Sequence, residues 1–166
     1  MGYLVSILSG MPFEDFVADR ILKPLNMIHT TWTVPRDGDR SAQGYLTTWT
    51  ENSQLREKIQ PQYIGLPRNS LLAPSVGMLS TAADMGKWLA FLLRLAKSEA
   101  TISDLKIIKP ETLKEILRSR VIASDQIGAL PVQAGASLWP ETSVPTYALG
   151  QLRGNYRGVD FSTHNG

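Results

Sequence analysis

Apolar residues recur at helical spacing in several stretches of the chain. Phe13, Phe16, Val17 and Ile21 share one face of a helix that Pro12 opens well. That helix should stop near Lys23, because Pro24 lacks the amide proton a continuing helix would use, and Pro24-Leu25-Asn26-Met27 then makes a tight turn. Asn26 suits a positive φ there. Ahead of it, residues 1–10 read as the second half of a buried helix ended by Gly10 in the left-handed conformation. The clearest pattern follows Thr81, an N-cap with Asp84 three residues on, an Asp variant of the capping box. The row Met85, Trp88, Leu89, Leu92, Leu93 and Ala96 then predicts a core-facing stripe. A further helix is predicted over 110–120, with Pro110 in its first turn and Glu111 near the positive end of its dipole.

Between these elements the periodicity lapses. Residues 30–69 are rich in Thr, Gln, Pro, Asn and Gly and read as a long excursion. Loops of that length in a compact domain usually line or cover a site, so Tyr45, Trp49 and Tyr63 either border a cleft or pin the loop to the helices. Residues 124–146 read as a connector. Beyond it, 147–152 reads as a strand, Arg153-Gly154-Asn155 as a turn and 156–164 as the returning strand. Leu149, Leu152, Val159 and Phe161 of this hairpin would lack a covering layer, and its edge is expected to support self-association.

Composition narrows the class. The 166 residues are 43% hydrophobic and 19% charged, ordinary for one globular domain or part of one. A net charge of +2 with scattered Lys and Arg gives no nucleic-acid groove. Nothing reaches the roughly 18 apolar residues of a membrane span, and residues 1–10 lack the basic start of a signal peptide, so no membrane partner is expected. The absence of cysteine excludes disulfides and thiolate sites. His29 and His164 are too far apart in sequence to suggest zinc, so no metal is expected.

The segment from Pro74 to Leu89, with Pro-Ser-Val-Gly before Met-Leu-Ser-Thr-Ala-Ala-Asp-Met, precedes Tyr147-Ala148-Leu149-Gly150 and His164-Asn165-Gly166. With Pro24-Leu25-Asn26-Met27 upstream, this order resembles the class C β-lactamase and penicillin-binding-protein-like family of serine hydrolases. The resemblance implies an α+β fold, β-lactamase/transpeptidase-like and partial: a helical region plus the first strands of an antiparallel sheet, within one partial domain over 1–166. It implies acyl-enzyme hydrolysis or acyl transfer on a small-molecule acyl substrate, with no cofactor. His164-Asn165-Gly166 stands where the family has Lys-Thr-Gly or His-x-Gly on the cleft strand. His164 is thus the expected catalytic residue, with Asn165 and Gly166 binding substrate, since glycine lets an acyl group lie close. Ser75 and Val76 would belong to a wall beside the nucleophile, and Tyr45 to the cleft border. Val76 replaces an aromatic of class C lactamases, which implies a wider or differently shaped acyl pocket. A mostly neutral His in place of a cationic Lys favours ester or acyl-transfer substrates over lactams.

The family also carries Ser-x-x-Lys and Tyr-x-Asn. The second pattern is absent from the sequence, and the first occurs as Ser103-Asp104-Leu105-Lys106. With 14 Ser and 7 Lys, chance supplies roughly 0.6 such matches. The tetrapeptide lies in what reads as a polar connector with Pro110 close behind, whereas a nucleophilic serine opens a buried helix. The chain is therefore expected to be a fragment, with Met1 internal to a longer ancestral chain and inactive alone. The alternatives are a non-catalytic binding or interaction module on the same scaffold, or an unrelated helical domain.

Overall fold

A computed structural model describes residues 1–33, 42, 45–50, 53–58, 69–123, 132–133, 136–137 and 146–164, with the backbone alone over 45–50, 53–58, 132–133 and 136–137. The chain divides into two compact units, Met1–Ala90 and Phe91–Gly166.

In the first unit, α1 (Gly2–Ser9) ends at Gly10 with φ 71°, the left-handed stop read from the sequence. The helix is not buried as expected. Gly2 is its one buried residue, and Tyr3, Leu4, Ile7 and Leu8 are exposed. Helix α2 (Phe13–Val17) runs into a π-helical turn over Ala18–Leu22 and is capped by Lys23, close to the predicted end. Asn26 takes φ 54°. Val17, Leu22, Met27, Trp32 and Ala73 form the core, with Phe13, Phe16, Ile21, Leu25 and Trp88 packed against it. Trp32 meets Phe13 edge to face, the rings 6.0 Å apart, an arrangement the ring quadrupoles favour.

The excursion over 30–69 contains a regular element where none is expected. β1 (Tyr45–Thr50) and β2 (Ser53–Lys58) pair antiparallel, from Tyr45 opposite Lys58 to Thr50 opposite Ser53. Thr47, Thr48, Trp49 and Thr50 are strand formers, a signal masked by the surrounding polar composition.

Helix α3 (Ala82–Ala96) starts in the first unit, and its residues from Phe91 belong to the second. The predicted stripe is rotated from the real one. Asp84, Phe91 and Leu95 are buried and Trp88 is half-buried, whereas Met85, Leu89 and Leu93 are exposed. Because apolar residues occur on both sides of this helix, periodicity alone did not choose between them.

In the second unit, α4 (Ile102–Ile107) replaces the expected polar connector. Its capping box joins Thr101 and Asp104. Helix α5 (Pro110–Ile116) follows, shorter than the predicted 110–120, because Ile116 O and Arg120 N, which would pair in a longer helix, bond instead to Leu149 N and Tyr147 O. A four-stranded antiparallel sheet runs in the order β3 (Val121–Ile122), β6 (Thr146–Tyr147), β7 (Leu152–Tyr156), β8 (Val159–Thr163). Within the connector, β4 (Val132–Gln133) pairs with β5 (Ala136–Ser137). Helices beside antiparallel strands give the α+β class.

The hairpin turn lies later than predicted. Arg157 and Gly158 make it, with φ 50° and 84°, the double positive φ of a tight two-residue turn. The Gly158 amide donates to Asn155 Oδ1 at 2.7 Å. Gly154, read as a turn residue, instead lies opposite Phe161 in the ladder, where a Cβ would stand 2.6 Å from Phe161 Cζ. Its role is to admit the ring. Leu152 is buried and Phe161 half-buried, contrary to the uncovered patch expected for them, while Leu149 and Val159 are exposed.

Candidate functional site

The segment before α3 is built from short turns. Amides of Ser75 and Val76 both donate to Leu72 O, at 2.9 and 3.0 Å, and Ser75 Oγ donates to the same carbonyl at 2.9 Å. Both residues are exposed, Val76 by 52%. The Ser75 hydroxyl thus serves its own turn while the Val76 side chain faces outward.

Backbone ties fix this segment within the first unit. Asn69 N donates to the buried Glu14 carboxylate at 2.8 Å, and Trp32 Nε1 donates to Ala73 O at 3.0 Å. An antiparallel bridge then joins Thr31 and Leu79 through both amides, at 2.9 and 2.7 Å. Gly2 packs so close that a Cβ there would meet Pro74 Cγ at 1.9 Å.

Asp84 lies in the first turn of α3, and its side chain is fully buried. Thr81 Oγ1 accepts from the Asp84 amide at 3.2 Å, the cap that the sequence indicated. The reciprocal half of a capping box is replaced by longer-range bonds. The carboxylate accepts from His29 N at 2.8 Å, Thr30 Oγ1 at 3.0 Å and Lys87 Nζ at 2.8 Å. Burial by itself would raise its pKa. The Lys87 ammonium, the His29 amide and the Thr30 hydroxyl outweigh that and hold it below the ordinary carboxylate value. Lys87 also donates to Asn26 O. From the sequence, Asp84 is expected only to cap α3. The one further signal there is a carboxylate beside Lys87 on a helix rich in apolar residues.

In the second unit, β8 carries Thr163 opposite Leu152, and His164 follows it, exposed. Asn165 and Gly166 lie outside the described residues, as do the side chain of Tyr45 and all of Tyr63. Ser75 and Val76 belong to one compact unit and His164 to the other. In α4, Asp104 is the buried residue, while Ser103 and Lys106 are exposed, which is not the setting of a serine activated at the start of a buried helix. A groove of about 430 Å³ in the first unit is lined by Val5, Leu8, Ser9, Met11, Phe16 and Arg20, none of them a site residue expected from the sequence. Among the described residues no cluster of three or more His, Asp or Glu could hold a metal.

The family model for Beta-lactamase matches residues 1–157, nearly the whole chain. The chain belongs to the beta-lactamase family. This family member is 28% identical over 114 residues to Beta-lactamase-like protein 4 of Dictyostelium discoideum, a match covering 69% of this chain and 18% of that protein. Its fold is also similar to that of the octameric penicillin-binding protein homologue from Pyrococcus abyssi. That likeness has a TM-score of 0.60 at 18% identity and covers 97% of this chain and 30% of the other. The beta-lactamase-family chain therefore spans under a third of the length of either relative.

Proposed function

We propose that this chain is part of a serine hydrolase domain that forms and resolves an acyl-enzyme, with esters or acyl-transfer substrates preferred over lactams. The family match over residues 1–157 carries the reading. In it, His164 at the end of β8 supports charge in the transition state, Asn165 and Gly166 hold the acyl group against the strand, and Ser75 and Val76 form a wall of the pocket, with Tyr45 at its border. A histidine in place of the family's lysine suits a substrate without a carboxylate to be held.

The second part of the proposal is that the 166 residues do not complete a site. Apolar side chains left exposed on α1 (Leu4, Ile7, Leu8) and α3 (Met85, Leu89, Leu93) support it, being the kind of faces that further elements of a domain cover. So does the exposed setting of Ser103 and Lys106. In this reading a longer protein supplies the nucleophile, its lysine, the Tyr-x-Asn side chains and an oxyanion donor.

Two experiments test these parts separately. The isolated chain, incubated with nitrocefin, p-nitrophenyl acetate and a fluorophosphonate probe, is expected to show no turnover above buffer and no labelled serine. Stoichiometric labelling of one serine overturns the incomplete-site reading, and labelling at Ser103 makes that tetrapeptide the nucleophile motif. In a longer protein containing these residues, His164→Ala should lower kcat more than it raises KM, since only contacts stronger in the transition state speed the chemical step. An unchanged kcat removes His164 from the chemistry.

A further inference from the structure

We propose that Asp84 is a positioning residue for the Ser75–Val76 segment, acting through a directed hydroxyl relay, Ser80 to Thr30 to Asp84, that locks the Thr31–Leu79 bridge. The importance of that segment to an acyl substrate rests on the function proposed above. The relay itself does not.

The direction of the relay follows from proton counting. An ionised carboxylate only accepts, so the single Thr30 hydroxyl proton goes to Asp84 Oδ2 at 3.0 Å. Thr30 Oγ1 also lies 2.9 Å from Ser80 Oγ. With its own proton committed, Thr30 accepts there and Ser80 donates. One carboxylate therefore fixes two hydroxyl rotors that face each other across 50 residues of sequence. Thr30 and Ser80 are the immediate neighbours of Thr31 and Leu79, the two residues of the bridge. The same Oδ2 accepts from the His29 amide, which fixes the backbone one residue earlier.

Nothing else in these contacts needs a buried charge. A helix N-cap is already supplied by Thr81, and Lys87 reaches Asn26 O as well as Asp84 Oδ1. The position of Asp84 is explained by what it holds at a distance: the turn after α2 against the segment before α3. Because these ties are to backbone and to Thr30 and Ser80, the exposed side chain at 76 varies without loosening the segment.

The test is amide hydrogen exchange on the purified chain, read at Thr31 and Leu79 and compared with Gly10 and Lys23, whose amides bond within their own helical turns. Asp84→Ala and Thr30→Val should each accelerate exchange at Thr31 and Leu79 by about tenfold or more, the effect of losing one charge-assisted bond. Gly10 and Lys23 should change by less than about twofold on the same scale. Thr30→Ser keeps the oxygen and should behave as the wild type. Unchanged exchange at Thr31 and Leu79 in Thr30→Val, or equal acceleration at all four amides, overturns the proposal, the second outcome showing a general loss of stability. Should Asp84→Ala fail to fold, Thr30→Val and Thr30→Ser decide alone. Exchange is read without substrate, so it stands or falls independently of the acyl-pocket reading.

Discussion

Arg94 holds both carboxylate oxygens of Asp104, Nε to Oδ2 at 2.9 Å and Nη2 to Oδ1 at 2.7 Å, joining α3 to α4 inside the second unit. Oδ2 also accepts from Thr101 N at 2.9 Å and Thr101 Oγ1 at 2.8 Å. The Arg94 guanidinium, followed by the Thr101 donors, holds this carboxyl well below the usual carboxylate range against the opposing effect of burial. A carboxyl whose folded pKa is depressed stabilises the fold above its unfolded value, about 3.9, and loses that contribution as pH falls towards the folded pKa.

Acid should therefore weaken the second unit from about pH 4 downward. Asp104→Asn should remove part of that dependence, because the amide has no charge to lose. At neutral pH the same variant is expected to be less stable by roughly 1.5 kcal/mol, the low end for hydrogen bonds to charged groups. Arg94 is 36% exposed, and water screens what it loses. Urea midpoints at pH 7 and pH 3 for both proteins check this. Equal acid sensitivity in the two would show that Asp104 is not the titrating group.

Trp32 does two jobs with one ring. It fills the first unit's core beside Phe13 and donates its indole N–H to the buried Ala73 carbonyl. Trp32→Phe keeps most of the apolar volume but leaves that carbonyl without its donor, so a loss of about 1–3 kcal/mol is expected. Trp32→Ala adds a cavity and should lose about 3–5 kcal/mol. Denaturant unfolding measures both. A Trp32→Phe protein as stable as the wild type would mean that the Ala73 carbonyl finds another donor and that the segment from Asn69 to Leu79 is held elsewhere.

Local chemistry was legible in the sequence where one residue decides one conformation. Gly10 stops α1, Asn26 takes a positive φ, Thr81 caps α3 and Pro24 limits the preceding helix, all through backbone sterics or a single hydrogen bond. A choice between faces or registers is not legible in this way, because it depends on distant partners. The buried face of α3 includes Asp84, a charged residue that no apolar periodicity selects, and its burial makes sense only with His29 and Thr30 in place. Arg153-Gly154 and Arg157-Gly158 both offer a glycine for a turn, and local composition does not choose between them. Phe161, on the next strand, is what makes Gly154 a strand residue. Of the candidate site, the sequence supplied His164, Ser75 and Val76 as separate pieces. The ties at Trp32, Glu14 and Asp84 involve side chains whose partners lie 41, 55 and 55 residues away, a separation that periodicity does not report.

The β8 edge bears on association. β8 is the last strand in the order β3-β6-β7-β8, so its outer backbone groups have no strand neighbour among the described residues. Val159 at its start is 68% exposed, and such an edge is a template for pairing with another chain. Self-association of the isolated chain is expected to run through this strand and to rise with concentration. Val159→Lys places a charge on the edge and should shift the population towards monomer, with little effect on stability because the side chain is already in water. Light scattering across a concentration series, combined with amide exchange over Val159–Thr163, checks both parts. Association that persists undiminished in Val159→Lys, without slowed exchange along β8 at high concentration, would move the contact to another surface.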